Sequence, residues 1–141
     1  MSVRSTTSRL GRVTGIVAAA AGLALLPSQA SAAEVSISGS SSNGCNTVTG
    51  RYGWALTNPG LDLYRTWGTA TIVNHPTKCG PGWHGVLQFD DSSSADGWEI
   101  LYGVGPGQKG STSLVMNNVR DVRFRVCNIV NGKADGCGRV L

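Results

Sequence analysis

Beyond residue 32 the sequence has no helical periodicity, no internal repeat and no second apolar run of membrane-spanning length. It also has few groups suited to acid–base catalysis, because the histidines are limited to His75 and His84 and the glutamates to Glu34 and Glu99. The many serines are not accompanied by a G-x-S-x-G turn or by an evident Ser, His and Asp set. We therefore predict no catalytic residues, and a small hydrolase is the least favoured function class.

Patterns typical of metal sites are missing as well. His75, Cys79 and His84 do not follow the spacing of a standard zinc site, and cysteines of exported proteins pair with each other first. The acidic residues around position 93 lack the D-x-D-x-D-G order of a calcium loop, so we interpret them as a solvated turn. The sequence predicts no metal and no cofactor; the acidic residues concerned are Asp90, Asp91 and Asp96.

The one long uncharged run has the layout of a secretory signal peptide. Arg4, Arg9 and Arg12 precede it, residues 13–26 carry no charge, and Ala30-Ser31-Ala32 forms a small-x-small cleavage site. We predict that residues 1–32 are a signal peptide and that the protein is secreted and extracellular. The alternative is a retained membrane anchor, for which the run is short.

The charge balance excludes two classes of partner. The full sequence has twelve basic and eight acidic residues, but loss of the signal removes three arginines and no acidic residue. A nearly neutral domain does not favour nucleic acid, whose binding requires many neutralised phosphates. No segment forms a basic amphipathic helix for a membrane surface. We predict another secreted protein as the partner, with carbohydrate as the alternative, and neither nucleic acid nor membrane.

The four cysteines indicate two disulfides in a small exported domain. Three pairings are possible in principle. The short segment between Cys127 and Cys137 contains the turn dipeptides Asn131-Gly132 and Asp135-Gly136, which favour a closed loop or hairpin. We therefore predict Cys127–Cys137, which leaves Cys45–Cys79 as the second pair.

Short alternating segments predict an all-β domain. Val122, Phe124 and Val126 alternate with Arg123 and Arg125, which indicates a strand with a buried face and a charged face. We predict a small antiparallel β-sandwich of six or seven strands over residues 44–141. Residues 33–43 are small and polar, and we predict a flexible N-terminal arm there, with an edge strand as the alternative. Two further expectations are a short last strand over residues 138–141 and a half-buried strand that places Trp98 and Tyr102 in the core.

Three places in the sequence are candidate partner-binding sites. Val35 and Ile37 give the arm a short strand pattern suited to addition, as a strand, to the sheet or cleft of a partner. Trp83 lies in a glycine-rich loop next to Cys79, where it serves as an interface anchor or as a lid on the core. Arg123 and Arg125 form a contact for an acidic partner or an ordinary solvated face.

The ending Val126-Cys127-Asn128, followed by Asp135-Gly136-Cys137-Gly138, accompanies an arginine-rich signal and a two-disulfide β domain. In this layout the whole chain resembles small secreted proteins of Streptomyces and related actinobacteria. The α-amylase inhibitors of that group carry a Trp-Arg-Tyr triplet, from which Arg51-Tyr52-Gly53-Trp54 departs. The adaptor subunit of umbrella toxin particles is similar in size and class, and it links a lectin-bearing subunit to a repeat-containing scaffold partly through an extended N-terminal segment. The resemblance implies such a segment at residues 33–43 and carries over no site residue.

These observations favour a secreted, non-catalytic protein-binding module, either an adaptor subunit of a secreted toxin complex or a hydrolase inhibitor. The alternative is a carbohydrate-binding domain that uses Trp83 and another exposed aromatic side chain. An adaptor is expected to show a solvent-exposed N-terminal arm and an uncovered sheet edge. A sugar-binding domain is expected to show two or more coplanar exposed aromatic rings, and an enzyme a cleft with convergent titratable groups.

Overall fold

The computed structural model describes residues 32–92 and 95–141, so the predicted signal peptide lies outside the described residues except for Ala32. The described chain is all β. No helix long and apolar enough to cross a membrane occurs in those two ranges. The strands are β1 (Ala33–Ser40), β2 (Asn46–Asn58), β3 (Leu63–Asn74), β4 (His84–Asp90), β5 (Glu99–Val104), β6 (Lys109–Ser113), β7 (Arg123–Val130) and β8 (Lys133–Asp135).

The strands form two antiparallel four-stranded sheets. The first sheet has the order β1-β2-β3-β6 and the second has the order β5-β4-β7-β8. The inner faces pack together in the sandwich arrangement that alternating strands favour. The predicted antiparallel β-sandwich is thus confirmed, with eight strands in the described residues where six or seven were expected.

The core lies between the inner faces of the two sheets. Phe124 of β7 is fully buried and packs edge-on against Tyr52 of β2, with ring centroids 5.0 Å apart. Arg123 and Arg125 lie on the opposite face of β7, as the alternation predicts. The other large, fully buried apolar side chains are Val48, Ile72, Leu87, Leu114 and Val126.

Residues 33–40 are strand β1, and this corrects the expectation of a flexible arm over residues 33–43. Every residue of β1 pairs with β2, from Ala33 opposite Trp54 to Ser40 opposite Thr47. Ile37 is only 7% exposed and belongs to the core. Backbone pairing with a long neighbour compensates for the low apolar content of this segment. The edge-strand alternative is therefore correct, and the sandwich begins at β1 instead of at residue 44.

Both predicted disulfides are present. Cys45 bonds to Cys79, and Cys127 bonds to Cys137. Asn131 and Gly132 adopt positive φ angles of 51° and 75° in the turn between β7 and β8, the conformation that this dipeptide favours in a hairpin.

The C-terminal segment lies beside β7 without continuing β8 as a regular strand. The amide of Gly138 donates to the carbonyl of Val126 at 2.8 Å, and that of Leu141 donates to the carbonyl of Phe124 at 2.9 Å. The expected strand over residues 138–141 is thus replaced by two isolated hydrogen bonds. Cys137, which comes after β8, connects this segment to Cys127 of β7 through the disulfide.

One end of the sandwich is closed by buried asparagines. The side-chain Nδ2 of Asn46 donates to Asn128 Oδ1 at 2.8 Å. The Oδ1 of Asn46 accepts from Nδ2 of Asn74, also at 2.8 Å. Asn74 Oδ1 also accepts from the amide of Gly107 at 2.7 Å. The three asparagines belong to β2, β3 and β7, so they connect the two sheets beside the Cys45–Cys79 bridge. We call this region the asparagine end.

Candidate functional site: an apolar groove at a sheet edge

At the opposite end the two sheets separate and leave a groove of about 370 Å³ between β1 and β7. This volume lies within the range of small-ligand sites, roughly 300–1,000 Å³. The lining is mostly apolar and aromatic. Its residues are Val35, Ile37, Tyr52, Trp54, Tyr64, Val119, Asp121, Val122, Phe124 and Leu141.

The pleat of β1 explains why the groove has an apolar wall. Val35 and Ile37 are two residues apart and therefore point to the same inner face of the sheet. Ile37 is buried, whereas Val35 is 45% exposed because the groove opens beside it. The sequence placed both residues in a strand pattern, and the structure brings both to this site.

The C-terminal segment limits the opening to one part of β1. Leu141 packs against Gly39, and Gly138 lies against the carbonyl of Ser40. The amide of Ser42 also donates to the carbonyl of Gly136 at 2.8 Å. No strand of residues 32–92 or 95–141 pairs with the outer edge of β1. The stretch of β1 around Val35 therefore presents both an unpaired strand edge and the mouth of the groove.

Three aromatic side chains of β2 and β3 line the groove beside β1. Tyr52 and Trp54 lie side by side on β2, with ring centroids 5.5 Å apart and a tilt of 31°. Burial raises the pKa of Tyr52 to about 12, so its phenol stays neutral at physiological pH. Tyr64 donates to Asp62 at 2.9 Å, and this hydrogen bond is the main reason why the pKa of Tyr64 is raised.

Sequence reasoning did not place these three aromatic residues in a site. The i, i+2 spacing of Tyr52 and Trp54 predicts one shared strand face, but it does not say that the face ends in an opening. Tyr64 belongs to another strand, and Val119 and Asp121 come from the segment before β7. Only the pairing of distant strands brings these positions together.

Arg123 and Arg125 form a second surface, on the outer face of the second sheet. Arg123 makes an ion pair with Asp90, and Arg125 donates through Nε to Gln88 Oε1 at 2.9 Å. The Arg125 guanidinium lies 4.1 Å from the centre of the Trp98 ring and that of Arg123 lies 5.8 Å away. These contacts hold both guanidinium groups in fixed positions on the outer face of the sheet.

The position of Trp98 corrects the expectation that it fills the core. The β4–β5 ladder changes register between Leu87 and Gln88. A bulge of this kind changes which residues face inward. Leu101 accordingly packs against the core while Ile100 is 58% exposed. Trp98 precedes β5 and contacts Arg125 on the outside, whereas Tyr102 packs partly against the core as expected.

Trp83 lies at the asparagine end, away from the groove. Its indole packs against Gly80, and its carbonyl accepts from the Asn74 side chain at 3.1 Å. The predicted partner-binding residues are thus divided among three places: the groove, the arginine surface and the Cys79 loop.

His75, Cys79 and His84, which were considered as zinc ligands, do not form a metal site. Cys79 is bonded to Cys45, and the His75 ring contacts Thr47 Oγ1 at 2.9 Å. In the two described ranges, no three His, Cys, Asp or Glu side chains are close enough to hold a metal ion.

Comparisons with known proteins give no family for this chain. No protein-family model matches the sequence, and neither the curated proteins nor the solved structures contain a significant match. The resemblance to secreted actinobacterial adaptors therefore stays a prediction.

Proposed function

We propose that this protein is a secreted, non-catalytic protein-binding module of the adaptor type. It captures an extended segment of another secreted protein at the open end of the sandwich. The observation that carries the proposal is the apolar groove at an unpaired strand edge, both beside Val35.

Strand addition explains why these two features belong together. An added strand gains main-chain hydrogen bonds from the free edge, and its alternate side chains enter neighbouring pockets. The edge of β1 supplies the main-chain groups, and the groove supplies a pocket lined by Val35, Trp54 and Tyr64. The segment that we expect therefore has apolar side chains at every second position.

The same geometry favours an adaptor over a hydrolase inhibitor. An inhibitor that blocks an enzyme cleft must project a loop or an arm into it. Here β1 is paired along its whole length with β2, and the groove is a receiving surface. Binding of the protein to a hydrolase through any other face would support the inhibitor function instead.

An extracellular location agrees with the covalent structure. Two disulfides are typical of extracellular proteins, since reducing compartments keep cysteines as thiols. Secretion through residues 1–32 remains part of the proposal, as does the role of Arg123 and Arg125 as contacts for acidic side chains of the partner.

Selection of random twelve-residue peptides displayed on phage, with the purified protein as target, tests the function. We expect enriched peptides whose apolar residues alternate. Their affinity should fall at least tenfold for Val35→Asp and stay within twofold for Ser36→Asp, which adds the same charge to the exposed outer face of β1. Thermal unfolding checks that both variants are folded.

Two results would overturn the proposal. One is the absence of any enriched peptide with alternating apolar residues. The other is equal binding of the enriched peptides to Val35→Asp and Ser36→Asp, because a site outside the groove would then carry the affinity.

A further inference from the structure

Trp67 lies on the outer face of the first sheet, opposite Gly53 of β2. A Cβ atom at position 53 would lie 2.4 Å from Cε2 of the indole and 2.5 Å from its Nε1. The ring therefore rests directly on the glycine backbone, and any side chain there would displace it. Trp67 is half-buried, so one part of the ring is covered by the sheet and another part is accessible to solvent.

An exposed ion pair lies at the edge of this ring. The indole Nε1 donates to Glu34 Oε2 at 3.4 Å, and Glu34 Oε1 pairs with Arg51 at 2.5 Å. The Glu34 side chain is 39% exposed and that of Arg51 is 75% exposed. The pair thus offers both a carboxylate acceptor and a guanidinium donor to a ligand, with no net charge between them.

Hydroxyl groups cover the sheet beside Trp67. The register places Ser36, Arg51, Thr69 and Ser113 in one row across the four strands. A second row contains Ser38, Thr49, Thr71 and Ser111, in which the hydroxyls of Thr71 and Ser111 are 2.7 Å apart. Neighbouring strands are about 4.8 Å apart, so the rows form a regular array of small polar groups around one aromatic ring.

From this arrangement we infer that the outer face of the first sheet binds carbohydrate, with the C–H face of a pyranose ring stacked on Trp67. An aromatic ring with one wet face suits a ligand that is apolar on one side and polar at its rim. Ring hydroxyls hydrogen-bond to the Glu34–Arg51 pair. The adjacent Ser and Thr hydroxyls contact the next sugar unit, so the ligand is an oligosaccharide.

This site differs from the carbohydrate site that the sequence suggested at Trp83. The Trp83 indole also rests on a glycine, since a Cβ at Gly80 would lie 2.5 Å from its Cε2. No ion pair at the edge of that indole is present among the described residues. Trp83→Ala is therefore a matched control for Trp67→Ala, because each change removes an indole packed on glycine.

A glycan array followed by titration calorimetry tests the inference. The array carries neutral hexose oligosaccharides, N-acetylhexosamine oligosaccharides and acidic glycans, and binding to any of these classes identifies the source of the pyranose. With the best-bound oligosaccharide, we expect Trp67→Ala and Gly53→Val each to weaken binding at least tenfold, and Arg51→Ala to weaken it several-fold. Trp83→Ala and Val35→Asp should leave the affinity within twofold, and unfolding curves check that each variant is folded.

Absence of binding on the array would overturn the inference. A loss with Trp83→Ala but not with Trp67→Ala would overturn it as well, in favour of the Cys79 loop. Neither result affects the groove, whose peptide ligand is tested with Val35→Asp.

Discussion

The two ends of the sandwich differ in how their polar and apolar groups are satisfied. At the asparagine end Asn46, Asn74 and Asn128 are buried, and their side chains bond to each other and to nearby backbone groups. At the groove end the apolar wall of β1 is left partly exposed at Val35. A fully bonded network fixes the position of the strands, whereas an unfilled apolar groove retains surface that a ligand can bury. The asparagine end therefore stabilises the fold, whereas the groove end leaves apolar surface accessible.

The largest expected effect concerns β7, which contributes Phe124 to the groove and Asn128 to the asparagine end. Phe124→Ala should lower the free energy of unfolding by about 4 kcal/mol, because it leaves a cavity under Tyr52. Arg123→Ala should cost about 1 kcal/mol, because Arg123, the ion-pair partner of Asp90, is itself 55% exposed. Urea denaturation measures both, and equal losses would mean that the assignment of the two faces of β7 is wrong.

The ion pair with Asp90 is the reason why Arg123→Ala should lower stability more than a change on an ordinary solvated face. The sequence predicts which face of β7 is charged, because Val122, Phe124 and Val126 alternate with the arginines. It does not show that Asp90 lies opposite Arg123, since that pair depends on the register between β4 and β7.

The second prediction compares the two ends directly. Asn46→Ala should destabilise the protein by about 3 kcal/mol, because Asn74 and Asn128 each lose a buried partner. Val35→Ala at the groove should cost less than about 1 kcal/mol, since Val35 is already half in solvent. Chemical unfolding of both variants tests the contrast. Similar costs at the two ends would remove the distinction between a stabilising end and a binding end.

The third prediction concerns the disulfides, of which one belongs to the asparagine end. The Cys45–Cys79 bridge spans 34 residues and the Cys127–Cys137 bridge spans 10. Because loop-closure entropy increases with loop length, replacing both cysteines of the longer loop by alanine should cost about 1 kcal/mol more than the same change in the shorter loop. Denaturation of the two double variants measures the difference. The reverse order would show that native contacts at the hairpin outweigh the entropy of the unfolded chain.

The last prediction concerns the groove itself, where the expected effect is absent near neutral pH and develops only at high pH. The folded pKa of Tyr52, about 12, lies above its ordinary value of 10.0. The unfolded chain therefore ionises first, and stability is complete below pH 10 and falls as the pH rises toward 12. Melting temperatures measured from pH 9 to 12 should decline less steeply for Tyr52→Phe than for the parent. Tyr64→Phe should also make the decline less steep, because the hydrogen bond of Tyr64 to Asp62 raises the pKa of this exposed phenol as well. An unchanged slope in Tyr52→Phe would contradict the burial of that phenol.

The sequence predicted those features that depend on neighbouring residues. The turn at Asn131-Gly132, the Cys127–Cys137 disulfide and the two faces of β7 follow from local patterns, and Cys45–Cys79 is the pair that remains. It did not predict that residues 33–40 pair fully with β2, because composition says little about backbone pairing with a distant strand. The prediction for Trp98 was wrong because a bulge between β4 and β5 changes which side chains of this strand point into the core. The groove was missed because its walls come from β1, β2, β3, the start of β7 with the segment before it, and the C-terminal Leu141.

Amide hydrogen exchange of the protein, with and without a peptide selected for binding, shows whether the groove and the edge of β1 receive the partner. We expect slower exchange in residues 33–38 of β1 and in the segment 119–124, because added main-chain hydrogen bonds and burial protect these amides. Exchange around Asn46 and Asn74 at the asparagine end should not change. Protection confined to the Cys79 loop or to the asparagine end, with β1 unchanged, would contradict the claim that the groove and its strand edge receive the partner.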